Sequence, residues 1–555
     1  MLPARIITQI RPDSELPNAS PRASLRPHFS NAPKDRAMAK RPNILLITSD
    51  QQRGDAYGFE GRTVKTPHLD GMARDGTRFS SCITPNVVCQ PSRASILTGL
   101  LPLSHGVCDN GIDLDPAVGE TGFARRLAES GYHSAFIGKA HFSTKGTFAP
   151  TGTPECQYSS KDFSDDWMGP YMGFDHAELM CFGHFHKKRN PMMPPSGQHF
   201  ERWYYGHGER DGQEVWELWG TELPPSTGAA QTWHSALPAA WHTSTWVGDR
   251  TVDFVSKHTG DDPFVLWASF PDPHHPFDCP EPWSRLHHPD EVDISTTHKM
   301  DLDRRPWWHR ASLEGEPDMK DPELVQFRKT GSRAPVQSEA QLRDMTANYY
   351  GMISLIDHNV GRIFDALEAN GLAEDTIVIY TTDHGDLLGD HGLYLKGPTP
   401  YEGLLRVGML FKGPGVPADK VVADPVSTLD LAATFCDLAN TEKAEGIQSE
   451  SLLPLIGNDG KGSGSRDMAY NEWNLAPTRC GVPLELRTIR TKTHKCTFEL
   501  ISGAGELYDL ANDPLEQDNL FEDAAAAKVR KELEDMMRAR PGKILNSFAD
   551  PVGAA

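Results

Sequence analysis

Cys89 lies three residues ahead of Ser92-Arg93, in a stretch suited to covalent chemistry. Residues 86 to 99 read Asn-Val-Val-Cys-Gln-Pro-Ser-Arg-Ala-Ser-Ile-Leu-Thr-Gly. Pro91 near a helix start and Gly99 just past its end follow the usual asymmetry of helix termini. Cys89 is therefore expected at or just before a helix N-terminus, where free N–H groups favour a developing negative charge. An isolated cysteine there is more often a buried structural residue, so its company matters. Four further polar clusters each follow an expected strand: Asp50-Gln51, Lys139 with His141, His274-His275, and Asp383-His384. The stretches at 43–49, 263–270, 376–382 and 407–411 read as strands buried in a parallel sheet, and 133–137 as a further strand. Their carboxyl ends share one edge, where open α/β sheets bind ligands. One carboxylate at a strand end usually caps a helix or forms a turn. Four clusters from distant parts of the chain point instead to a site.

The string Cys89-Gln-Pro-Ser-Arg93, followed by Leu97-Thr98-Gly99, resembles the signature of the type I sulfatases, within the alkaline-phosphatase superfamily. The resemblance implies that a formylglycine-generating enzyme oxidises Cys89 to formylglycine, whose hydrate is the nucleophile, held by Arg93. It also implies that Asp50, Gln51, Asp383 and His384 hold one divalent cation together with the residue at position 89. Oxygen-rich ligation suits Ca2+ first, with Mg2+ or Mn2+ as alternatives. Gln51 departs from the commoner Asp and adds no charge. Gly138-Lys139-Ala140-His141 resembles the family's Gly-Lys-x-His, with Ala140 and Phe142 replacing the usual Trp and Leu. Pro273-His274-His275-Pro276-Phe277 resembles Pro-His-x-Pro-Phe and makes His274 the family's histidine. Lys396-Gly397, after Gly389-Asp-His-Gly392, resembles the lysine that binds the sulfate group. The implied catalytic set is Cys89, Arg93, Lys139, His141, His274 and Lys396. The motifs cover about residues 42 to 415 and return at Glu506-Leu-Tyr-Asp-Leu510 and Asp513-Pro514. His105 and His391 read as packing residues, and Trp216, Trp233 and Trp241 as a local core.

These groups need a large scaffold. The chain has 555 residues, 24% charged and 38% hydrophobic, ordinary values for a soluble globular enzyme. Its formal net charge of −21 disfavours a nucleic-acid partner, and any sulfate site must be a local cationic pocket. No apolar run approaches the ~20 residues that span a bilayer, so no membrane partner is expected. Nine cysteines without regular spacing fit a reducing compartment, hence a cytoplasmic location, better than a disulfide framework. Residues 1–40 lack the apolar core of a secretory signal and are expected to be a disordered extension. Residues 41–460 are expected to form the catalytic domain and 461–555 a C-terminal subdomain, joined near a Gly-rich stretch at 457–464.

Strands alternating with helices indicate an α/β fold with a doubly wound, mostly parallel sheet and a smaller C-terminal α+β subdomain on an antiparallel sheet; the resemblance implies that this sheet is alkaline-phosphatase-like. Helices are expected at 66–76, 120–130, 246–258, 341–370, 427–440 and 523–539. Residues 142–245 show little periodicity and read as a loop-rich insertion, and 278–338 as a second loop region. The expected activity is hydrolysis of a small aryl or alkyl sulfate ester, choline sulfate being one candidate. A phosphonate or phosphate monoester hydrolase of the same superfamily is the alternative enzyme, and a catalytically silent sulfate-ester binding protein the alternative of another class. A homo-oligomer remains open.

Overall fold

Eight strands build the central sheet of the computed structural model, which describes residues 41–183, 193–208, 213–260, 262–457, 464 and 466–553. The expected N-terminal extension, 1–40, lies outside the described residues, as does most of the 457–464 stretch. In chain order the strands are β1 (Asn43–Ser49), β2 (Thr77–Phe79), β3 (His133–Gly138), β4 (His176–Leu179), β5 (Phe264–Ser269), β6 (Thr376–Thr382), β7 (Met409–Lys412) and β8 (Lys420–Val422). They lie in the order β8-β2-β7-β6-β1-β5-β3-β4. All neighbours run parallel except β7, which is antiparallel to both β6 and β2.

The four strands that carry the polar clusters, β6-β1-β5-β3, are contiguous and mutually parallel, so their carboxyl ends open on one edge. Alternation of side chains along each strand feeds two cores. Ile44, Leu46, Phe136, Trp267 and Ile379 point to one face. There they meet helices α2 (Cys89–Thr98) and α3 (Phe123–Glu129) and, later in the chain, the helix Leu431–Leu438. Leu45, Ile47, Ile137, Leu266 and Val378 point to the other face. That side is covered by helices α1 (Pro67–Asp75) and Thr243–Lys257 and by the carboxyl half of the long helix Glu339–Ala369. Strands β1, β5 and β6 are thus buried along their whole length on both sides, which is why their sequences are dominated by apolar and β-branched residues. The long helix opens on a Ser338–Gln341 capping box, and Gly371 turns the chain beyond its end with φ +69°.

A second, antiparallel sheet follows: β9 (Met468–Leu475), β10 (Leu484–Thr491), β11 (His494–Glu499) and β12 (Gly505–Asp509). One of its faces packs on the helix Ala527–Arg538 through Ile489, Cys496, Leu507 and Leu533. The other carries Trp473, Leu486 and Tyr508 against Leu393, Tyr401 and Leu404, the segment around Lys396.

Three local expectations change. The insertion is more than loops: it supplies β4 to the central sheet and the helices His199–Tyr205 and Gln213–Trp219. Phe200, Tyr204 and Trp219 join the second core, while Trp216 and Trp241 pack against it. Residues 278–338 contain the helices Trp307–Glu314 and Pro322–Gly331, the latter capped by Asp321 with proline in its first turn. The helix expected from 120 begins at Phe123, because Gly122 is extended and separates it from a short turn at Pro116–Gly119.

Candidate active site

Cys89 is the first residue of α2, after the extended Val88, and Gly99 closes the helix in the left-handed region. Every residue of this helix is buried, which fixes the cysteine against the strand ends. Cys89 Sγ lies 2.8 Å from Lys396 Nζ, 3.1 Å from His384 Nε2 and 3.6 Å from Asp50 Oδ1. Lys396 Nζ also reaches His274 Nε2 at 2.9 Å and His384 Nε2 at 3.2 Å. Arg93, one turn along α2 and fully buried, donates from Nε to Asp383 Oδ2 at 2.8 Å and from Nη2 to Asp50 Oδ2 at 3.1 Å. Lys139 Nζ donates to Asp50 Oδ2 at 2.5 Å. The structure therefore brings Cys89, Arg93, Lys139, His274, Lys396, Asp50, Asp383 and His384 into one connected group.

Local charge follows from this packing. Burial opposes ionisation of Asp50, but Lys139, Arg93 and Lys396 hold its carboxyl well below the usual carboxylate range. Burial and Asp50 push the Cys89 thiol up, yet Lys396, Lys139 and His384 bring it down to about 7. Burial, reinforced by Lys139, Lys145 and Arg93, holds the His141 imidazole well below its ordinary value. Both ring nitrogens of His141 are buried without a hydrogen-bond partner among the described residues. His141 belongs to the group through these neighbouring charges rather than through a contact of its ring. His105 pairs with Ser95 and His391 with Arg305, neither in contact with the cluster through a ring hydrogen bond among the described residues.

The donor set fits a divalent cation. Asp50, Cys89, Asp383 and His384 offer ligand atoms within 4.8 Å of one another, all buried. His384 Nδ1 donates to Gly385 O at 2.8 Å, which leaves the Nε2 lone pair facing the cluster. Gln51 is in the left-handed region, with φ +67°. Its amide nitrogen donates to Asp386 and contacts His275 Nδ1, while its amide oxygen is buried with no partner among the described residues. A buried orphan carbonyl is costly unless something else binds it, and a cation beside Asp50 would satisfy it.

Sequence reasoning missed two supports. Ser269, the last residue of β5, accepts from Arg93 Nη1 at 2.8 Å and from Thr48 Oγ1 of β1 at 3.3 Å and donates to Lys139 O, just past β3, at 2.7 Å, tying three strands and α2 together. Asp386 receives the Gln51 amide and the Leu388 N–H. Position at a strand end could have flagged Ser269; no local pattern marks Asp386.

A family model described as Sulfatase matches residues 42–441. Another, described as N-sulphoglucosamine sulphohydrolase, C-terminal, matches residues 389–542. The chain is 27% identical over 514 residues to the uncharacterized sulfatase YidJ of Escherichia coli (strain K12), covering 92% of this chain and 89% of that one. It is 28% identical over 493 residues to the arylsulfatase of Clostridium perfringens (strain 13 / Type A), covering 87% and 90%. Its fold is similar to that of the phosphonate monoester hydrolase of Agrobacterium radiobacter, with a TM-score of 0.68, 24% identity, and coverage of 90% and 96%.

Proposed function

The chain belongs to the sulfatase family, and from that premise we propose that it hydrolyses a small aryl or alkyl sulfate monoester at a formylglycine made from Cys89. The observation that carries this reading is the placement of Cys89 at a buried helix N-terminus, in reach of Lys396, His384 and Asp50. When present, the hydrated aldehyde supplies a nucleophile able to release sulfate afterwards, and a divalent cation supplies Lewis-acid stabilisation.

This chain's own residues do the rest. Asp50, Gln51, Asp383 and His384 would hold the cation. Arg93, paired with both carboxylates, orients the residue at 89. Lys139 and Lys396 neutralise charge that develops on the sulfuryl oxygens. His274 protonates the leaving alcohol. Its Nδ1 donates to His275 O, so Nε2, 2.9 Å from Lys396 Nζ, is the nitrogen left to carry that proton. His141, held neutral and without a ring partner among the described residues, is the base that accepts a proton from the residue at 89 when sulfate departs.

The donor set favours Ca2+, with Mg2+ or Mn2+ compatible with its imidazole. All nine cysteines are free and buried, which supports a reducing, cytoplasmic setting. Among the described residues no helix is long and apolar enough to cross a membrane. Maturation would require a formylglycine-generating enzyme.

Gln51, in place of a second carboxylate, favours a second reading: hydrolysis of phosphonate or phosphate monoesters. Lys139 and His141 favour sulfate. Turnover of matched aryl sulfate, aryl phosphate and phosphonate monoester separates the two. The first reading is tested by the mass of the tryptic peptide that contains Cys89. In active protein it should be lighter by the difference between CH2SH and CHO, and Cys89→Ala should fold normally without turnover. An unmodified cysteine in fully active protein would overturn it.

A further inference from the structure

The turn that carries His141 is gripped from the insertion. Gly138 ends β3 at φ +113°, where a Cβ would lie 2.1 Å from Ser269 O. His141 itself is left-handed, at φ +52°. Three successive backbone N–H groups then converge on one carboxylate. His141 N lies 2.5 Å from Glu155 Oε2, and Phe142 N and Ser143 N lie 3.0 and 3.1 Å from Oε1. Tyr171 Oη donates to the same Oε1 at 2.7 Å and Ser143 Oγ at 3.3 Å. Glu155 is 3% exposed. Successive N–H groups around a left-handed residue form a concavity that holds an anion. Here the anion is the chain's own side chain. The His141 ring has no hydrogen-bond partner among the described residues, so its backbone sets its position, and the backbone turn rests on Glu155.

We propose that Glu155 is the positioning residue for His141: its carboxylate fixes the 141–143 turn and thereby holds the imidazole beside Lys139 and Arg93. This rests on the sulfatase reading, in which His141 accepts a proton. The competing account is that Glu155 merely anchors the insertion to the sheet. In that case its loss would act independently of the imidazole.

A double-mutant cycle with a structural readout decides between them. In Glu155→Gln the amide NH2 turns a donor toward N–H groups that need an acceptor. The amides of residues 141–143 should exchange at least about tenfold faster. The kcat for an aryl sulfate should fall about 10- to 100-fold, with KM within about twofold and the mass of the Cys89 peptide unchanged. His141→Ala should be as slow or slower, and the double variant should equal His141→Ala, because Glu155 acts through that ring. Glu201→Gln removes another buried carboxylate of the insertion, one that accepts from Phe182 N and Gln198 N. It should leave kcat unchanged. If Glu155→Gln is not recovered folded, Glu155→Asp, one methylene short of the three N–H groups, takes its place in the cycle. Losses that multiply in the double variant would overturn the proposal while leaving the sulfatase reading intact. A fully active His141→Ala would overturn both the role given to His141 and the positioning role of Glu155.

Discussion

Arg93 is buried between two carboxylates, Asp50 and Asp383, and Lys139 pairs with the first of them. Two anions and two cations balance, so Lys396 and a bound cation leave the pocket positive, as an anionic ester requires. Removing Asp383 disturbs both halves of this arrangement: it deletes a candidate metal ligand and deprives a buried guanidinium of a partner, a loss that costs about 3–5 kcal/mol when a buried pair is broken. Asp383→Ala should therefore be isolated with less metal, a lower melting temperature and little activity. Elemental analysis with thermal unfolding checks this, and full metal content would remove Asp383 from the site. His105 lies outside the cluster but supports α2. Its Nδ1 accepts the Val107 N–H at 3.2 Å, and Nε2 faces Ser95 Oγ in α2 at 3.0 Å. Burial lowers its imidazole from 6.5 to about 3. Between those values the unfolded chain binds a proton that the folded chain refuses, so stability falls as pH drops below 6.5. At pH ~5 this group should cost about 2 kcal/mol. His105→Gln should be less stable at neutral pH yet lose less between pH ~7 and ~5. Thermal unfolding across that range is the measurement, and equal slopes would mean that His105 does not titrate on unfolding.

At the scale of elements, the site is made by four parallel strand ends and one helix start, and these were legible in the sequence. Continuous apolar runs mark strands buried on both faces. A polar residue just beyond each run needs only the parallel order β6-β1-β5-β3 to meet its fellows. Gly99 and Pro91 likewise announced α2. The antiparallel direction of β7 was not legible, because an apolar run carries no sign of direction. Nor was β4, whose four residues are too few to show a period. The helix Pro322–Gly331 did carry a signal, Asp321 followed by Pro322, that its proline-rich surroundings masked. Glu155 and Asp386 escaped because single acidic residues in loops carry no pattern, and Asp386 pairs with Gln51, 335 residues away. The terminal segment is another long-range support. Leu545 N donates to Leu103 O, Val552 N to Gly111 O, and Phe148 N to Val552 O. The Gly111 N–H in turn holds the amide oxygen of Gln90, next to Cys89. Deleting residues 541–555 should cost about 2–4 kcal/mol, from hydrogen bonds worth about 1 kcal/mol each, plus exposed apolar surface. It should also lower kcat by loosening the Gly111 turn that holds Gln90 in the first turn of α2. Unchanged melting temperature and kcat would show that the strap is passive.

Over the whole molecule the balance of charge reverses. A formal net charge of −21 belongs to a chain whose site gathers Arg93, Lys139 and Lys396 in one cluster. Distant charges act over the Debye length, about 30 Å at 0.01 M salt and about 8 Å at 0.15 M. At low salt an approaching monoanion should be repelled by the surface before it feels the buried cations. Added salt screens the surface field and leaves the short-range contacts in the pocket largely intact. For a monoanionic aryl sulfate, kcat/KM should therefore rise a few-fold between about 0.01 and 0.15 M salt. The zwitterion choline sulfate has no net charge, so its kcat/KM should hardly change. A polysulfated oligosaccharide should gain more than the aryl sulfate, while remaining the poorer substrate if the aromatic insertion walls a compact pocket. Initial rates for the three esters across a salt series at fixed pH provide the test. A fall in kcat/KM for the aryl sulfate with added salt would mean that the cationic pocket governs encounter despite the acidic surface. Higher kcat/KM on the oligosaccharide throughout would recast the insertion as a glycan-binding wall.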